Sequence, residues 1–185
     1  MKSTLGLLFI KIKSFTNLCI VANQRSLFFN KNSFVHKSFR IGSNNFFDIS
    51  PNAQFHIEEN VVINQSNYIT VKPNAKLSIG KNTYITRATI SCLGEITIGE
   101  NCILGEGMKI FDHNHQYTKK PFSVSQTAFN IGRVTIGNNV WTGANVIILK
   151  DVTIGDNVIL GAGCVIHKDV PDNTIIVNKQ EWAIK

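Results

Sequence analysis

The chain has 185 residues and a formal net charge of +7, with 43% hydrophobic and 17% charged residues. That balance excludes a disordered chain and leaves room for one domain with a sizeable core. A basic surface suits cofactor phosphates, an acidic glycan or a membrane surface; no basic-aromatic module or helical reader is present, so nucleic acid is not an expected partner.

Residues 1–40 lie outside any repeat. Leu5, Leu8, Phe9, Ile12 and Phe15 fit one face of a helix. The apolar run Leu5–Ile10 is broken by Lys11 and Lys13, far short of the roughly 20 apolar residues a spanning helix needs. Two readings stay open for this segment: a cap on the open end of the core, and a basic amphipathic element in peripheral contact with a membrane. Cys19, Cys92, Cys102 and Cys164 show no paired spacing. They read as free thiols in a reducing compartment, so the cytoplasm is the expected location, with the inner face of the membrane as its variant.

From residue 41 to 169 a period of six organises the chain, loosely up to residue 95 and strictly beyond it. Starting at Val134 the hexads run VTIGNN, VWTGAN, VIILKD, VTIGDN, VILGAG and CVIHKD. The frame occurs earlier as ITIGEN from Ile96, CILGEG from Cys102 and MKIFDH from Met108. In each hexad the first and third residues point inward and the second points outward. The Gly-Asn or Gly-Asp end supplies a turn tolerant of unusual backbone angles. Three such strands make a triangular coil, and coils stack by parallel pairing at about 4.8 Å. The predicted fold is therefore all-β: a parallel β-helix of hexapeptide repeats over 41–169, interrupted by one long extruded loop at 114–133. Residues 170–185 form a tail over the far end.

Two features carry chemistry. The repeat breaks at Asp112-His113-Asn114-His115, where two histidines leave the coil. Histidine, with a reference pKa of about 6.5, is the usual base for a hydroxyl that attacks a thioester. Asp112 is a candidate to fix an imidazole tautomer or to cap the turn. The other feature is the outward rows. Thr97, Thr135 and Thr153 suit a solvated face, whereas Ile103, Trp141 and Ile159 call for a partner or ligand. The third face shows Lys109, Ile147 and Val165, apolar after its first member, so two faces are available for a closed ring of chains.

The hexads, with NNVWTGANV and GDNVILGAGCVIHKDVP, resemble the left-handed parallel β-helix hexapeptide-repeat O-acetyltransferases, above all those acting on bacterial polysaccharides and sugars. The likeness covers residues 96–177 well and 41–95 loosely. It implies left-handed coils, a homotrimer with sites between neighbours, and transfer of acetyl from acetyl-CoA to a sugar hydroxyl. It implies His115 as general base, with His113 and Asp112 in support and Asn114 beside the substrate. Trp141 would line the site. Tyr117, Lys119 and Lys120 in the long loop would meet an acceptor, an acidic one on the ground of the loop's charge. Gly143, Ala144, Gly161 and Ala162 match positions where the donor's thin arm passes close to the backbone, and Lys168 matches a lysine near the phosphates. Trp182 replaces the family's tail lysine and could stack on the adenine. No metal is expected. The rivals are a zinc enzyme resembling the β-helix carbonic anhydrases, using His113 and His115, and a flat threonine ladder of the ice-binding kind.

Overall fold

Burial alternates along each hexad as a strand requires: Val134 and Ile136 are buried and Thr135 between them is half-exposed. Short segments rich in β-branched residues, with one face inward and a turn at each end, can only pair with the same segment of the next coil. The computed structural model describes residues 32–179. Three parallel sheets result, arranged as the sides of a triangular solenoid. The first holds six strands, from Phe34–Val35 to Val152–Ile154; the second seven, from Arg40–Ile41 to Ile175–Ile176; the third six, from Phe46–Ile49 to Val165–Ile166. The described residues contain no helix, so none is long and apolar enough to cross a membrane.

The solenoid extends beyond the bounds read from the sequence in both directions. Phe34–Val35 pairs with the strand Gln54–Ile57, and Ile175–Ile176 pairs with Ile159–Leu160. The helical face proposed for Leu5–Phe15 lies outside the described residues, as do Cys19 and Trp182.

Coil length explains why the period is strict only late in the chain. Val134 pairs with Val152, 18 residues on. Leu77 pairs with Ile96, 19 on, and Phe55 with Leu77, 22 on. The longer coils turn through Ser50-Pro51-Asn52-Ala53 and Lys72-Pro73-Asn74-Ala75, each closed by the alanine N–H on the carbonyl three residues back, at 2.9 and 3.0 Å. Asparagines fill corner positions of left-handed backbone, with φ from 54° to 65°. Their side chains also bond from coil to coil, Asn60 to Asn82 to Asn101 and Asn139 to Asn157 to Asn173, at 2.9–3.2 Å. The core is one column of buried side chains, with Phe39, Phe47 and Phe55 at its start and aliphatic residues beyond.

Candidate active site

The histidines owe their place to a corner that does not close. The strand Lys109–Phe111 ends the third sheet's part of its coil. Instead of turning directly into the first sheet, the chain runs out as the strand His113–Lys119 and returns as Phe122–Ile131, antiparallel to it. The long loop is thus a two-stranded hairpin. Its base closes where the Gly132 N–H donates to the Asp112 carbonyl at 2.8 Å. A Cβ on Gly132 would collide with the Asp151 carboxylate, which keeps this entry narrow. Arg133 then resumes the first sheet opposite Glu95.

Asp112 is fully buried at this base. Its carboxylate accepts the backbone N–H of Leu93 at 2.9 Å and of Gly94 at 2.7 Å, one coil earlier. The next coils repeat the device: Asp151 accepts the Arg133 N–H and Asp169 the Thr153 N–H. Asp112 therefore caps the corner. It also holds His113, whose Nδ1 lies 2.9 Å from Oδ1. A carboxylate facing Nδ1 places the proton there and leaves Nε2 as the lone-pair nitrogen of neutral His113. The His113 side chain is only 14% exposed, and it meets the rings of Phe111 and Phe129 edge-on.

His115 is exposed and is held differently. Its Nδ1 lies 2.8 Å from the carbonyl oxygen of Ser125 on the returning strand. A carbonyl can only accept, so Nδ1 carries the proton and the lone pair of neutral His115 sits on Nε2. Phe129, directly opposite His115 in the hairpin, packs its ring 4.5 Å from the imidazole, centroid to centroid. The Ser125 hydroxyl accepts the Ala128 N–H at 2.9 Å and so fixes the turn that offers the carbonyl.

The remaining predicted residues are spread over the solenoid. Asn114 is exposed and alternates to the opposite face of the hairpin strand from His113 and His115. Tyr117, Lys119 and Lys120 are exposed beyond a register shift between His115 and Tyr117. Trp141, 52% exposed, stands between Ile103 and Ile159 on the second sheet. That sheet lies across the triangle from the hairpin's corner, so one chain does not bring Trp141 to His115. Gly143-Ala144 and Gly161-Ala162 stack at the corner between the second and third sheets. A Cβ on Gly143 would come within 2.7 Å of the Ala162 nitrogen, so coil stacking alone demands glycine there. Ala144 and Ala162 are exposed and present no bulky side chain, a surface that fits a thin linear ligand. Lys168 is exposed at the hairpin's corner, two coils further along.

Among the described residues no three His, Cys, Asp or Glu side chains are placed to hold a metal ion. Cys92, Cys102 and Cys164 are buried free thiols. Burial, and secondarily the Asp112 carboxylate, pushes the Cys92 thiol well above its ordinary range. Ser125 escaped the sequence reading because it acts through its backbone. Phe129 was visible as an aromatic, but that it pins both imidazoles depends on the hairpin register.

Residues 133–168 match the family described as bacterial transferase hexapeptide (six repeats). Among curated proteins none matches the chain by sequence. Among solved structures it is similar to a maltose O-acetyltransferase from Clostridium difficile 630, at 24% identity and a TM-score of 0.51, over 78% of this chain and 65% of that one. The chain thus spans about two thirds of that protein's length. It is similar to the polysialic acid O-acetyltransferase OatWY, at 21% identity and a TM-score of 0.51, over 82% of this chain and 90% of that one. It also resembles AntD, an N-acyltransferase from Bacillus cereus, at 18% identity and a TM-score of 0.54, over 78% and 85% of the two chains. At these identities the likeness is one of fold. Repeat, coil geometry and the match over residues 133–168 agree: the chain carries hexapeptide repeats of the kind described for bacterial transferases.

Proposed function

We propose that the protein is an acetyl-CoA-dependent O-acetyltransferase acting on a hydroxyl of a bacterial sugar or surface polysaccharide in the cytoplasm. The observation that carries this reading is His115: an exposed imidazole whose Nδ1 is tied to the Ser125 carbonyl and whose Nε2 is left to accept a proton. The acceptor hydroxyl attacks the thioester carbonyl carbon while Nε2 takes the hydroxyl proton. When the carbon–sulfur bond breaks, the imidazolium returns that proton to the departing thiolate. No covalent enzyme intermediate is needed, and no serine or cysteine nucleophile is invoked. The donor's thin arm is assigned to Ala144 and Ala162, and its phosphates to Lys168.

The working unit in this reading is a homotrimer. Trp141 and His115 lie on opposite sides of one solenoid, so they can share a site only if each comes from a different chain. The exposed apolar row on the second sheet, with Ile103 at 53%, Trp141 at 52% and Ile175 at 67%, supplies the contact surface. Two of the three neighbours named above are O-acetyltransferases of sugars, and the third is an N-acyltransferase. The test is release of CoA thiol from acetyl-CoA with a panel of bacterial glycans and amino sugars, followed by mass spectrometry of the acceptor. Ester-linked acetyl on a sugar supports the proposal; amide-linked acetyl, or no transfer to any member, overturns it.

A further inference from the structure

The corner between the second and third sheets carries one residue of left-handed backbone per coil: Asn44, Ser66, Arg87, Gly107, Asn145 and Gly163. Glycine and asparagine adopt that conformation at least cost; arginine does not. Arg87 holds it at φ 46°. Its guanidinium lies 2.5 Å from the Glu106 carboxylate on the next coil, with the side chains 44% and 59% exposed. An ion pair so open to water contributes little to stability. The coil ladder holds the Arg87 backbone, through the Gln65 carbonyl at 3.3 Å and the Gly107 N–H at 3.2 Å, so a long cationic side chain where glycine or asparagine fits at less cost points to a use for that side chain. Lys109 stands beside the pair, its Nζ donating to the Gly107 carbonyl at 3.0 Å.

Position along the corner says what that use is. Arg87, Glu106, Ala144 and Ala162 follow one another in successive coils, about 4.8 Å apart. The hairpin that carries His115 leaves the solenoid between the coils of Glu106 and Ala144. With the donor's arm along Ala144 and Ala162, the reacting centre lies at the level of the hairpin. The continuation of the same line, on the acceptor's side, is the step from Glu106 to Arg87. The outward row of the second sheet descends in parallel, from Trp141 through Ile103 to Tyr84, three residues before Arg87.

We propose that Arg87, with Lys109 beside it, forms an acceptor subsite for a carboxylate borne by the sugar chain. The inference rests on the acetyltransferase reading with its site between neighbouring chains. Glu106 holds the guanidinium in place until the acceptor's carboxylate replaces it. Arginine's planar fork matches a carboxylate through two parallel hydrogen bonds, which favours an acidic acceptor over its neutral counterpart.

The experiment compares a uronic-acid oligosaccharide with its carboxyl-reduced form, in acetyl transfer and in direct binding by calorimetry. Arg87→Asn, which suits the backbone, is expected to lower the acidic-to-neutral ratio of kcat/KM about tenfold without lowering the melting temperature. Glu106→Gln removes the competing carboxylate and is expected to raise that ratio. An unchanged ratio in Arg87→Asn, or a fall in Glu106→Gln, overturns the subsite; the second variant decides alone should the first fail to fold. If the wild type binds the acidic oligosaccharide in an Arg87-dependent way but transfers acetyl to neither form, the acetyltransferase reading falls and the subsite stands.

Discussion

Asp112 and His113, adjacent in sequence, form a pair in which the buried carboxylate's Oδ1 meets the partly exposed imidazole's Nδ1 at 2.9 Å while the same carboxylate caps the preceding coil through Leu93 and Gly94. One side chain thus serves the fold and the site together. Asp112→Asn puts an amide where only an acceptor fits and leaves buried N–H groups short of a partner. We expect a loss of about 2–3 kcal/mol of stability, read by urea unfolding. Unchanged stability would show that the corner closes without the carboxylate.

His115→Ala tests the base. The side chain is exposed on the hairpin and supports no coil, so the variant should melt with the wild type. Loss of a general base typically costs about 10²–10⁴-fold in rate. Retention of more than about a tenth of wild-type turnover would move the role to His113.

Trp141→Glu tests the shared site. A carboxylate in the middle of the apolar row opposes burial of that face against a second chain. Light scattering should show the assembly dissociating toward single chains, with transfer falling in parallel. A wild-type protein that is already a fully active single chain would remove both the interface and the shared site.

Alkaline pH should weaken the fold through its thiols. Burial raises the pKa of Cys92 and Cys102. In the unfolded chain these thiols ionise near pH 8.5. Above that pH the folded state therefore binds more protons than the unfolded one, and stability falls as pH rises. In Cys92→Ala with Cys102→Ala, stability should decline less steeply between about pH 8.5 and 10. Identical slopes for variant and wild type in urea unfolding across that range would contradict the assignment.

How legible each part was in the sequence follows from coil length and from which atoms act. Between Val134 and Asp169 the 18-residue coils keep the buried positions in strict steps of six, so faces and inward residues could be read directly. Before Ile96 the corners at Pro51 and Pro73 lengthen the coils and shift the frame. Phe34–Val35, exposed and half-buried in turn, offers no hexad at all, although it opens the first sheet. Asp112, His113 and His115 stood out because the hexad after MKIFDH fails: Asn114 and Gln116 stand at the first and third positions, where the repeat calls for apolar residues. Asn114 reads as their neighbour along the chain, yet the strand's alternation turns it to the other face. The Ser125 carbonyl could not be found that way, since any residue carries one.

The hairpin leaves the register untouched: Ile96 still pairs with Val134, although 38 residues separate them, and the corner is closed by the bond from Gly132 to the Asp112 carbonyl together with the Asp112 carboxylate's cap on Leu93 and Gly94. Because the cost of closing a loop grows only slowly with its length, this segment is an exchangeable part. Its length and composition can be rewritten without disturbing the ladder beneath it. Recognition can therefore diverge rapidly among chains whose scaffolds remain superimposable, and a graft of residues 113–131 from one such chain into another should carry acceptor preference with it.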